Sequence, residues 1–321
     1  MDENTTEYDA LVVGGGPAGL NGALTLARSR RRVLLVDAGR PRNARAEGIH
    51  NFASSEGISP REFAQRGRAE AAAYGAEIRD GSVVAAGPAE GGFEATLDDG
   101  TQVTARRLLV TSGVVDELPD VEGLADRWGR DVLHCPDCHG YEVRDQAVGL
   151  LASSPLVMHH MLLFRQLTED LTLFLNDSFE PGRDELEQLA ARDVTVVPGR
   201  VAAVVVEDGA LTGVRLADGR VVARQALVVQ VRSDARSPLI ASLGLRTATL
   251  ENNGVVLGDH LEVDPMGVTS VPGVYAAGNV TDLSAQVGAS AAAGTRAGAV
   301  INADLAAEDT ARAVEARRMV S

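Results

Sequence analysis

Apolar residues in this chain fall into short continuous runs that alternate with glycine-rich turns and with segments of helical spacing. The first run, residues 8–13, leads into the turn Gly-Gly-Gly-Pro-Ala-Gly at residues 14–19, a helical stretch over 20–29 and a second run over 33–36. Continuous apolar runs of this length are typical of parallel strands that are buried on both faces. The pattern predicts a strand–turn–helix–strand unit whose second strand ends at Asp37.

A second unit of the same kind is predicted in the middle of the chain. A strand over residues 147–152 is followed by a helix over 156–167 and a strand over 171–175. Near the C-terminus, residues 255–305 return to strand, glycine turn and a helix of small residues that covers 288–299. This order predicts one α/β domain that is interrupted by another.

The segment between the two units has a mixed pattern. Helical spacing runs from about residue 55 and ends near Gly75, and short strands with Gly/Asp turns follow over 81–112. Residues 116–123 are interpreted as a crossover between the domains.

The composition excludes several classes of protein. The 321 residues are 45% apolar and 23% charged, which is typical of a globular protein of two domains and not of a disordered chain. The net charge of −15 disfavours nucleic acid and anionic membranes as partners, because an acidic surface repels phosphate groups. The acidic residues 1–7 and the lack of an 18-residue apolar run argue against a secretory signal or a membrane span, so a cytoplasmic location is expected.

The turn at residues 14–19 predicts a nucleotide-binding site. Glycines spaced Gly-x-Gly-x-x-Gly allow a sharp turn and bring backbone amides against a pyrophosphate at the start of a helix. Asp37, 18 residues after the last glycine, is expected to accept hydrogen bonds from a ribose diol. A tight turn without a ligand is the alternative, but all parts of the unit fall in register. The expected contact residues of the turn are Gly14, Gly16, Pro17, Ala18 and Gly19.

A second anchor near the C-terminus indicates which nucleotide is bound. Residues 274–279, Val-Tyr-Ala-Ala-Gly-Asn, resemble the second FAD motif of flavoproteins with two dinucleotide-binding domains. In that motif the residue after the glycine, usually Asp, contacts the ribityl chain. Here Asn279 follows Gly278, and an amide can still form a hydrogen bond with a hydroxyl.

Two further segments fit the same resemblance. Gln286 and Val287 open the small-residue helix, whose N-terminus would point at the flavin and stabilise the anionic reduced ring through the helix dipole. Thr111 and Gly113 stand at the family's Ala-Thr-Gly turn. FAD is therefore the expected cofactor.

The second unit lacks the residues that a nicotinamide nucleotide needs. Ala152 and Ser154 stand where glycines leave room for a pyrophosphate, and Pro155 removes a donor amide. In place of a basic cluster for the 2′-phosphate, the chain has the carboxylates of Asp177 and Glu180. The prediction is that NADPH is not used; a divergent but functional site is the alternative.

The only two cysteines, Cys135 and Cys138, lie three residues apart. Zinc needs about four ligands and the chain has no second Cys or His cluster, so no metal is expected. Attachment of c-type haem normally requires export. The remaining interpretation is a dithiol/disulfide pair that exchanges electrons with the flavin, with His139 to accept and return a thiol proton.

The chain has, in this order, an FAD-binding unit, the Cys-x-x-Cys pair, a degenerate second unit and a C-terminal segment with the second FAD motif. This order resembles that of the low-molecular-weight thioredoxin reductases over nearly the whole chain. Within that family, Cys-Pro-Asp-Cys-His-Gly-Tyr-Glu at residues 135–142 is similar to the FAD-dependent dithiol oxidases of holomycin, gliotoxin and romidepsin biosynthesis. Asp137 departs from those oxidases, which usually have an aromatic residue there, and this affects mainly the substrate expected.

The resemblance implies an α/β fold of two dinucleotide-binding, Rossmann-like domains, the second inserted in the first. Residues 1–116 and 245–321 would form the FAD-binding domain, and residues 117–244 the inserted domain with the cysteine pair. It further implies an FAD contact from Asn51 and a homodimer.

The leading hypothesis is a flavin-dependent dithiol oxidase. Cys135 would exchange with a small-molecule natural-product dithiol, Cys138 would be the thiol next to the flavin, and dioxygen would accept the electrons to give hydrogen peroxide. An NADPH- or ferredoxin-dependent disulfide reductase of thioredoxin type is the second hypothesis. A non-catalytic flavoprotein redox sensor that binds a protein partner is the third.

Overall fold

The computed structural model describes residues 7–320. Residues 1–6, most of the acidic segment that argues against a secretory signal, lie outside the described part. None of the helices between residues 7 and 320 combines the length and hydropathy that a bilayer crossing requires.

The described chain alternates strands and helices in the order that the apolar pattern predicts. The strands are β1 (Glu7–Val13), β2 (Val33–Asp37), β3 (Glu77–Asp80), β4 (Val83–Ala89), β5 (Gly92–Leu97), β6 (Gln102–Val110), β7 (Val115–Glu117), β8 (Val132–Leu133), β9 (Val148–Leu151), β10 (Leu171–Phe174), β11 (Thr195–Val197), β12 (Val201–Glu207), β13 (Ala210–Leu216), β14 (Val221–Ala223), β15 (Ala226–Val229), β16 (Arg232–Asp234), β17 (Thr247–Asn252), β18 (Val255–Leu261) and β19 (Val274–Ala276). The α-helices are α1 (Pro17–Arg28), α2 (Pro60–Ala73), α3 (Leu124–Arg127), α4 (Pro136–His139), α5 (Val157–Phe164), α6 (Arg183–Ala191), α7 (Pro238–Ser242) and α8 (Val287–Val320).

The first sheet holds the N-terminal unit and the C-terminal return. Its strand order is β3-β2-β1-β6-β5-β4, and β19 also pairs with β6. The pairs β1–β2, β2–β3, β1–β6 and β6–β19 are parallel, whereas β4–β5 and β5–β6 are antiparallel. The carboxyl ends of β1, β6 and β19 therefore meet at one edge, which carries the first glycine turn and the C-terminal anchor.

Alternate residues of β1 pack on opposite faces of this sheet. Leu11 belongs to one core and Val12 to the other, and both side chains are fully buried. On the second face α1 crosses α8 at very close range. An added Cβ at Gly294 would lie 1.9 Å from the carbonyl oxygen of Ala18, so the crossing requires glycine at this position.

Ion pairs fix the C-terminal half of α8 to the sheet. The guanidinium groups of Arg106 and Arg107, both nearly buried, pair with Asp304, Glu308 and Asp309 on the helix. The prediction for this helix, residues 288–299, is too short, because α8 continues to Val320. The α8 residues that form these ion pairs all lie beyond residue 299.

The second sheet is entirely parallel, with the strand order β11-β10-β9-β15-β8. Two further cores cover its faces, with Leu150 in one and Leu151 in the other. The antiparallel sheet β12-β13-β14 packs onto the second of these cores. The α/β fold of two Rossmann-like units that the sequence predicts is confirmed.

The two units are joined by β7 and β16, which pair antiparallel. The predicted inserted domain covers residues 117–244. Side chains from Ala235 onward, including Leu239 and Leu243, already pack in the same core as Leu11.

Helix α2 begins later than the helical spacing suggests. Asn51, Ser54 and Gly57 have φ angles of +58°, +73° and +74°, which no α-helix allows. The helix begins at Pro60, where the Ser59 hydroxyl accepts a hydrogen bond from the amide of Glu62.

Candidate active site

The first glycine turn, residues 14–19, has no room for a side chain at Gly14 or Gly19. Gly14 has a φ of +108°, and an added Cβ there would lie 2.4 Å from the carbonyl oxygen of Thr111. An added Cβ at Gly19 would lie 1.8 Å from the carbonyl oxygen of Gly14. At Gly16, by contrast, no atom lies within 4 Å of the same position, so this side of the turn is open.

Asp37 supports the turn from the end of β2. One carboxylate oxygen accepts a hydrogen bond from the amide of Gly15 at 3.1 Å, and the other lies 3.5 Å from the Arg68 guanidinium. The sequence pattern predicts that this carboxylate accepts hydrogen bonds from a ribose. The structure gives it a second function, because it also fixes the backbone of the turn.

Thr111 and Gly113 follow β6, directly beside the turn. The Thr111 hydroxyl lies 2.9 Å from the carbonyl oxygens of both Val13 and Gly14, and its single proton serves these two acceptors. Gly113 has a φ of +69° and open space at its Cβ position. Thr111 is thus a support of the first glycine turn.

The C-terminal anchor reaches the same edge of the sheet. Gly278 contacts the start of α1, since an added Cβ there would lie 2.9 Å from the Cβ of Ala18. The amide nitrogen of Asn279 faces the carbonyl oxygens of Asp282, Leu283 and Ala285, at 3.2, 3.4 and 2.9 Å. The side-chain oxygen of Asn279 remains for another donor, while its nitrogen fixes the loop that leads into α8.

Gln286 and Val287 lie at the beginning of α8, as the sequence predicts. The carbonyl oxygen of Gln286 accepts from the amide of Ser290 and so begins the helix. The first amides of a helix have no intrahelical acceptor, and α1 and α8 both begin at this edge. The open side of Gly16 and these free donors fit the anionic part of FAD, with Asn279 placed to accept from a hydroxyl.

Cys135 and Cys138 form a disulfide in a single helical turn after β8. Cys135 is the N-cap residue of α4, and its sulfur accepts a hydrogen bond from the amide of Cys138 at 3.2 Å. Once the disulfide is reduced, this N–H group would stabilise a thiolate on Cys135, because hydrogen bonding to the charged form lowers a thiol pKa.

Asn51 joins the FAD unit to the cysteine pair. Its side-chain amide donates to the carbonyl oxygen of Asp137, which lies between the two cysteines. The sequence resemblance expects an FAD contact from Asn51. In the structure the observed contact of the side chain is with the backbone of the cysteine turn, so Asn51 positions the redox pair.

His139 directly follows Cys138 and is mostly buried. Its Nε2 atom is buried without a hydrogen-bond partner, which leaves it available to a thiol or a ligand. Burial lowers the pKa of His139; the Glu142 carboxylate raises it and His50 lowers it further. The net pKa lies below the ordinary value, so the imidazole is neutral at pH 7 and can accept a proton.

His50 and Glu142 lie near His139, and Glu56 contacts His50; none of the three is among the site residues selected from the sequence. The rings of His50 and His139 lie 6.2 Å apart, centroid to centroid. His50 Nε2 lies 3.4 Å from a Glu142 oxygen, and Nδ1 lies 2.6 Å from a Glu56 oxygen. Glu56 is exposed, so these side chains lead from the buried histidine to solvent. Their adjacency depends on the fold, since His50 precedes the cysteines by more than 80 residues.

A second pair of histidines, His134 and His160, includes the residue that directly precedes Cys135. His134 Nδ1 lies 3.2 Å from the carbonyl oxygen of Val229, and its ring centroid lies 5.7 Å from that of His160. Burial lowers the pKa of both, to about 4 for His160. Within residues 7–320 no group of three or more His, Cys, Asp or Glu side chains is arranged to hold a metal ion.

Comparison with known proteins places this geometry in a family. The family model for pyridine nucleotide-disulphide oxidoreductases matches residues 8–157. Thioredoxin reductase sirT of Leptosphaeria maculans is 31% identical over 325 residues, covering 94% of this chain and 96% of the relative. Thioredoxin reductase tcpT of Claviceps purpurea is 32% identical over 282 residues, covering 84% of this chain and 86% of the relative.

A solved structure is similar over the full length of the chain. The crystal structure of HlmI superposes with a TM-score of 0.89 at 42% identity and covers 99% of this chain and 100% of that one. The family resemblance drawn from the sequence is confirmed. The chain belongs to the pyridine nucleotide-disulphide oxidoreductases and, within them, to the thioredoxin reductase-like FAD-dependent thiol/disulfide oxidoreductases.

Proposed function

We propose that the chain is a flavin-dependent dithiol oxidase that forms an intramolecular disulfide in a small-molecule natural-product dithiol. The observation that carries the proposal is the buried Nε2 atom of His139, which has no hydrogen-bond partner and belongs to the residue directly after the Cys135–Cys138 disulfide. A group that accepts protons suits a reaction in which the substrate arrives as a dithiol and must lose two protons.

The exchange balances with the residues of the site. A substrate thiolate attacks Cys135, the enzyme S–S bond breaks, and Cys138 leaves as a thiolate. The second substrate thiolate then attacks the substrate sulfur of the mixed disulfide, which releases Cys135 and a cyclic substrate disulfide. The N–H···S bond from Cys138 stabilises Cys135 as the leaving thiolate, and better leaving groups leave faster.

His139 accepts a proton from the thiol groups as they become thiolates. His50, Glu142 and the exposed Glu56 then offer a route by which this proton reaches solvent. Asn51 holds the backbone between the two cysteines in place during the exchange.

Bound FAD would supply the chemistry of a two-electron acceptor for the enzyme dithiol, with dioxygen as the proposed final acceptor and hydrogen peroxide as the product. The residues proposed to hold it line the open side of the first glycine turn and the C-terminal anchor. They are Gly14, Gly16, Pro17, Ala18, Gly19, Asp37, Thr111, Gly113, Gly278, Asn279, Gln286 and Val287. A homodimer and a cytoplasmic location remain predictions.

A disulfide reductase of thioredoxin type is the second candidate, because sirT and tcpT carry the name thioredoxin reductase. The two functions differ in the direction of electron flow. A reductase takes electrons from a nucleotide or from ferredoxin, whereas the oxidase takes them from the substrate dithiol.

Oxygen consumption with dithiothreitol in air tests the proposed function. The wild-type protein should consume one dioxygen and form one hydrogen peroxide per dithiothreitol oxidised. Cys138→Ser should lower this rate by about a thousandfold or more, because the disulfide can no longer form. The flavin absorbance of this variant should equal that of the wild type, which shows that the cofactor site is intact. An active Cys138→Ser protein would contradict the mechanism.

A further inference from the structure

The second turn, residues 152–157, follows β9 as the first glycine turn follows β1. In a dinucleotide-binding unit the amides of such a turn bond the pyrophosphate. Buried amides need acceptors, so each amide of this turn should bond either a ligand or a group of the protein.

Gln230 accepts most of these donors. Its side-chain oxygen lies 3.1 Å from the Ser153 amide, 3.0 Å from the Ser153 hydroxyl and 3.0 Å from the Ser154 amide. Its side-chain nitrogen donates to the Ser154 hydroxyl at 3.0 Å. One carboxamide thus makes four hydrogen bonds at the place where a pyrophosphate would bind.

The remaining amides of the turn are bonded or absent. Ala152 donates to Phe174, and Leu156 donates to the Ser154 hydroxyl at 3.3 Å. Val157 donates to the Ser154 carbonyl oxygen at 3.2 Å. Pro155 has no N–H group. Every backbone donor from residue 152 to residue 157 therefore has an acceptor within the protein.

The neighbouring loop holds the second turn in this form. The Ser178 hydroxyl donates to the carbonyl oxygen of Ala152 at 2.7 Å, and the Asn176 side-chain oxygen accepts from the amide of Val201 at 2.9 Å. The exposed carboxylates of Asp177 and Glu180 lie on the same loop and repel an approaching phosphate.

We propose that Gln230 is a specificity-determining residue that excludes nicotinamide nucleotides from the inserted unit, because its carboxamide takes the hydrogen bonds of a pyrophosphate. A nucleotide would have to displace this side chain and leave its polar atoms without partners. The proposal goes beyond the dithiol oxidase function and does not depend on it, because it concerns only what the second turn can bind.

The test compares Gln230→Ala with Gln225→Ala in the FAD-loaded protein. Gln225 stands at the opposite end of β15 and also accepts from a backbone amide, that of Ala147 at 3.1 Å. Gln225→Ala is therefore the matched control, because it also removes one glutamine that flanks β15. Calorimetric titration with inorganic pyrophosphate reports on the freed amides of the turn.

Gln230→Ala should bind pyrophosphate about tenfold more tightly than the wild type, because two amides and a hydroxyl lose their internal acceptor. Gln225→Ala should match the wild type. Gln230→Glu keeps the acceptor and adds a negative charge, so it should bind no more tightly than the wild type. Equal affinity in Gln230→Ala and Gln225→Ala would overturn the proposal.

Amide hydrogen exchange of the wild type tests the same claim without a variant. If Gln230 accepts these hydrogen bonds, the amides of Ser153 and Ser154 should exchange slowly although Ser153 is exposed. Addition of NADPH should give these amides no further protection. Exchange of these amides at the rate of an open turn, or protection by NADPH, would overturn it. Neither result bears on dithiothreitol oxidation, so failure of this proposal is distinguishable from failure of the oxidase.

Discussion

The first glycine turn and the second turn occupy the same place in their strand–turn–helix units, but the first is open on one side and the second is closed by internal hydrogen bonds. Both follow a buried parallel strand and precede a helix. In the first, glycines bring backbone segments together and leave the side of Gly16 open. In the second, every backbone donor from residue 152 to residue 157 has an acceptor within the protein, either a backbone carbonyl or the side chain of Gln230 or Ser154. The comparison teaches that the same strand–turn–helix frame can leave one side of its turn open or bond every amide of the turn within the protein.

The difference bears directly on the direction of electron flow. The cysteine pair is linked to the FAD unit through Asn51 and lies beside neutral His139. The second turn offers no free donor to a nicotinamide nucleotide. Under the proposed function, electrons therefore enter from the substrate dithiol and leave through the flavin side.

The largest expected effect on cofactor binding comes from adding one methyl group to the first glycine turn. Gly19→Ala places a Cβ 1.8 Å from the carbonyl oxygen of Gly14, so the backbone must move and the turn must open. Flavin affinity should fall by about a hundredfold or more, roughly 3 kcal/mol. The flavin-to-protein ratio after purification measures it.

The matched change in the second turn is Ser154→Gly. This variant should keep the full flavin content, because residue 154 follows β9 of the second sheet and is not part of the first glycine turn. Loss of flavin from Ser154→Gly and not from Gly19→Ala would reverse the assignment of the two turns.

A smaller loss is expected at the C-terminal anchor. Asn279→Asp replaces the donor amide with a carboxylate opposite the carbonyl oxygens of Asp282, Leu283 and Ala285. The repulsion should loosen the loop before α8 and weaken FAD binding by about tenfold, or about 1.4 kcal/mol. Fluorescence titration of the apoprotein with FAD measures the affinity, and Asn279→Gln shows what side-chain length contributes. Tighter binding by Asn279→Asp would contradict the role given to the amide.

The pH dependence of thiol exchange should respond in opposite directions to changes at Glu142 and His50, the two neighbours of His139. The imidazole accepts protons only when neutral, so the rate falls as the pH drops through its lowered pKa. Glu142→Gln removes a charge that raises this pKa and should move the acid limb to lower pH. His50→Gln removes a charge that lowers it and should move the limb to higher pH. Anaerobic rates of flavin reduction by dithiothreitol, measured against pH, give the shift of the acid limb in each variant. Shifts of the same sign in the two variants would contradict the opposite effects of Glu142 and His50 on the pKa of His139.

The smallest effect is expected from Ser153→Ala in the second turn. The hydroxyl bond to Gln230 is lost, but the amides of Ser153 and Ser154 keep their acceptor. Unfolding free energy should fall by about 0.5–1 kcal/mol, as for one hydrogen bond, and pyrophosphate affinity should not change. Chemical denaturation and calorimetry measure the two quantities.

The sequence predicts best what depends on local pattern. The unit β1–α1–β2 and the turn between β1 and α1 follow from the apolar run and the glycine spacing, and the structure has all three elements at the predicted places. The cysteine pair at residues 135 and 138 is recognisable from its spacing alone and forms a disulfide.

Contacts between distant segments had no signal in the sequence. Gln230 is a single polar residue after a strand, and only the adjacency of β9 and β15 brings it to the second turn. His50 meets His139 because the loop before α2 folds onto the inserted unit. The length of α8 depends on ion pairs with β6, which helical spacing cannot show.

Anaerobic absorbance of the bound flavin tests the central claim most directly. One sample receives dithiothreitol and a second receives NADPH, and both are then opened to air. The account predicts that dithiothreitol bleaches the flavin, that NADPH does not, and that air restores the colour. Rapid bleaching by NADPH would show that the second turn accepts a nucleotide and that the protein is a reductase.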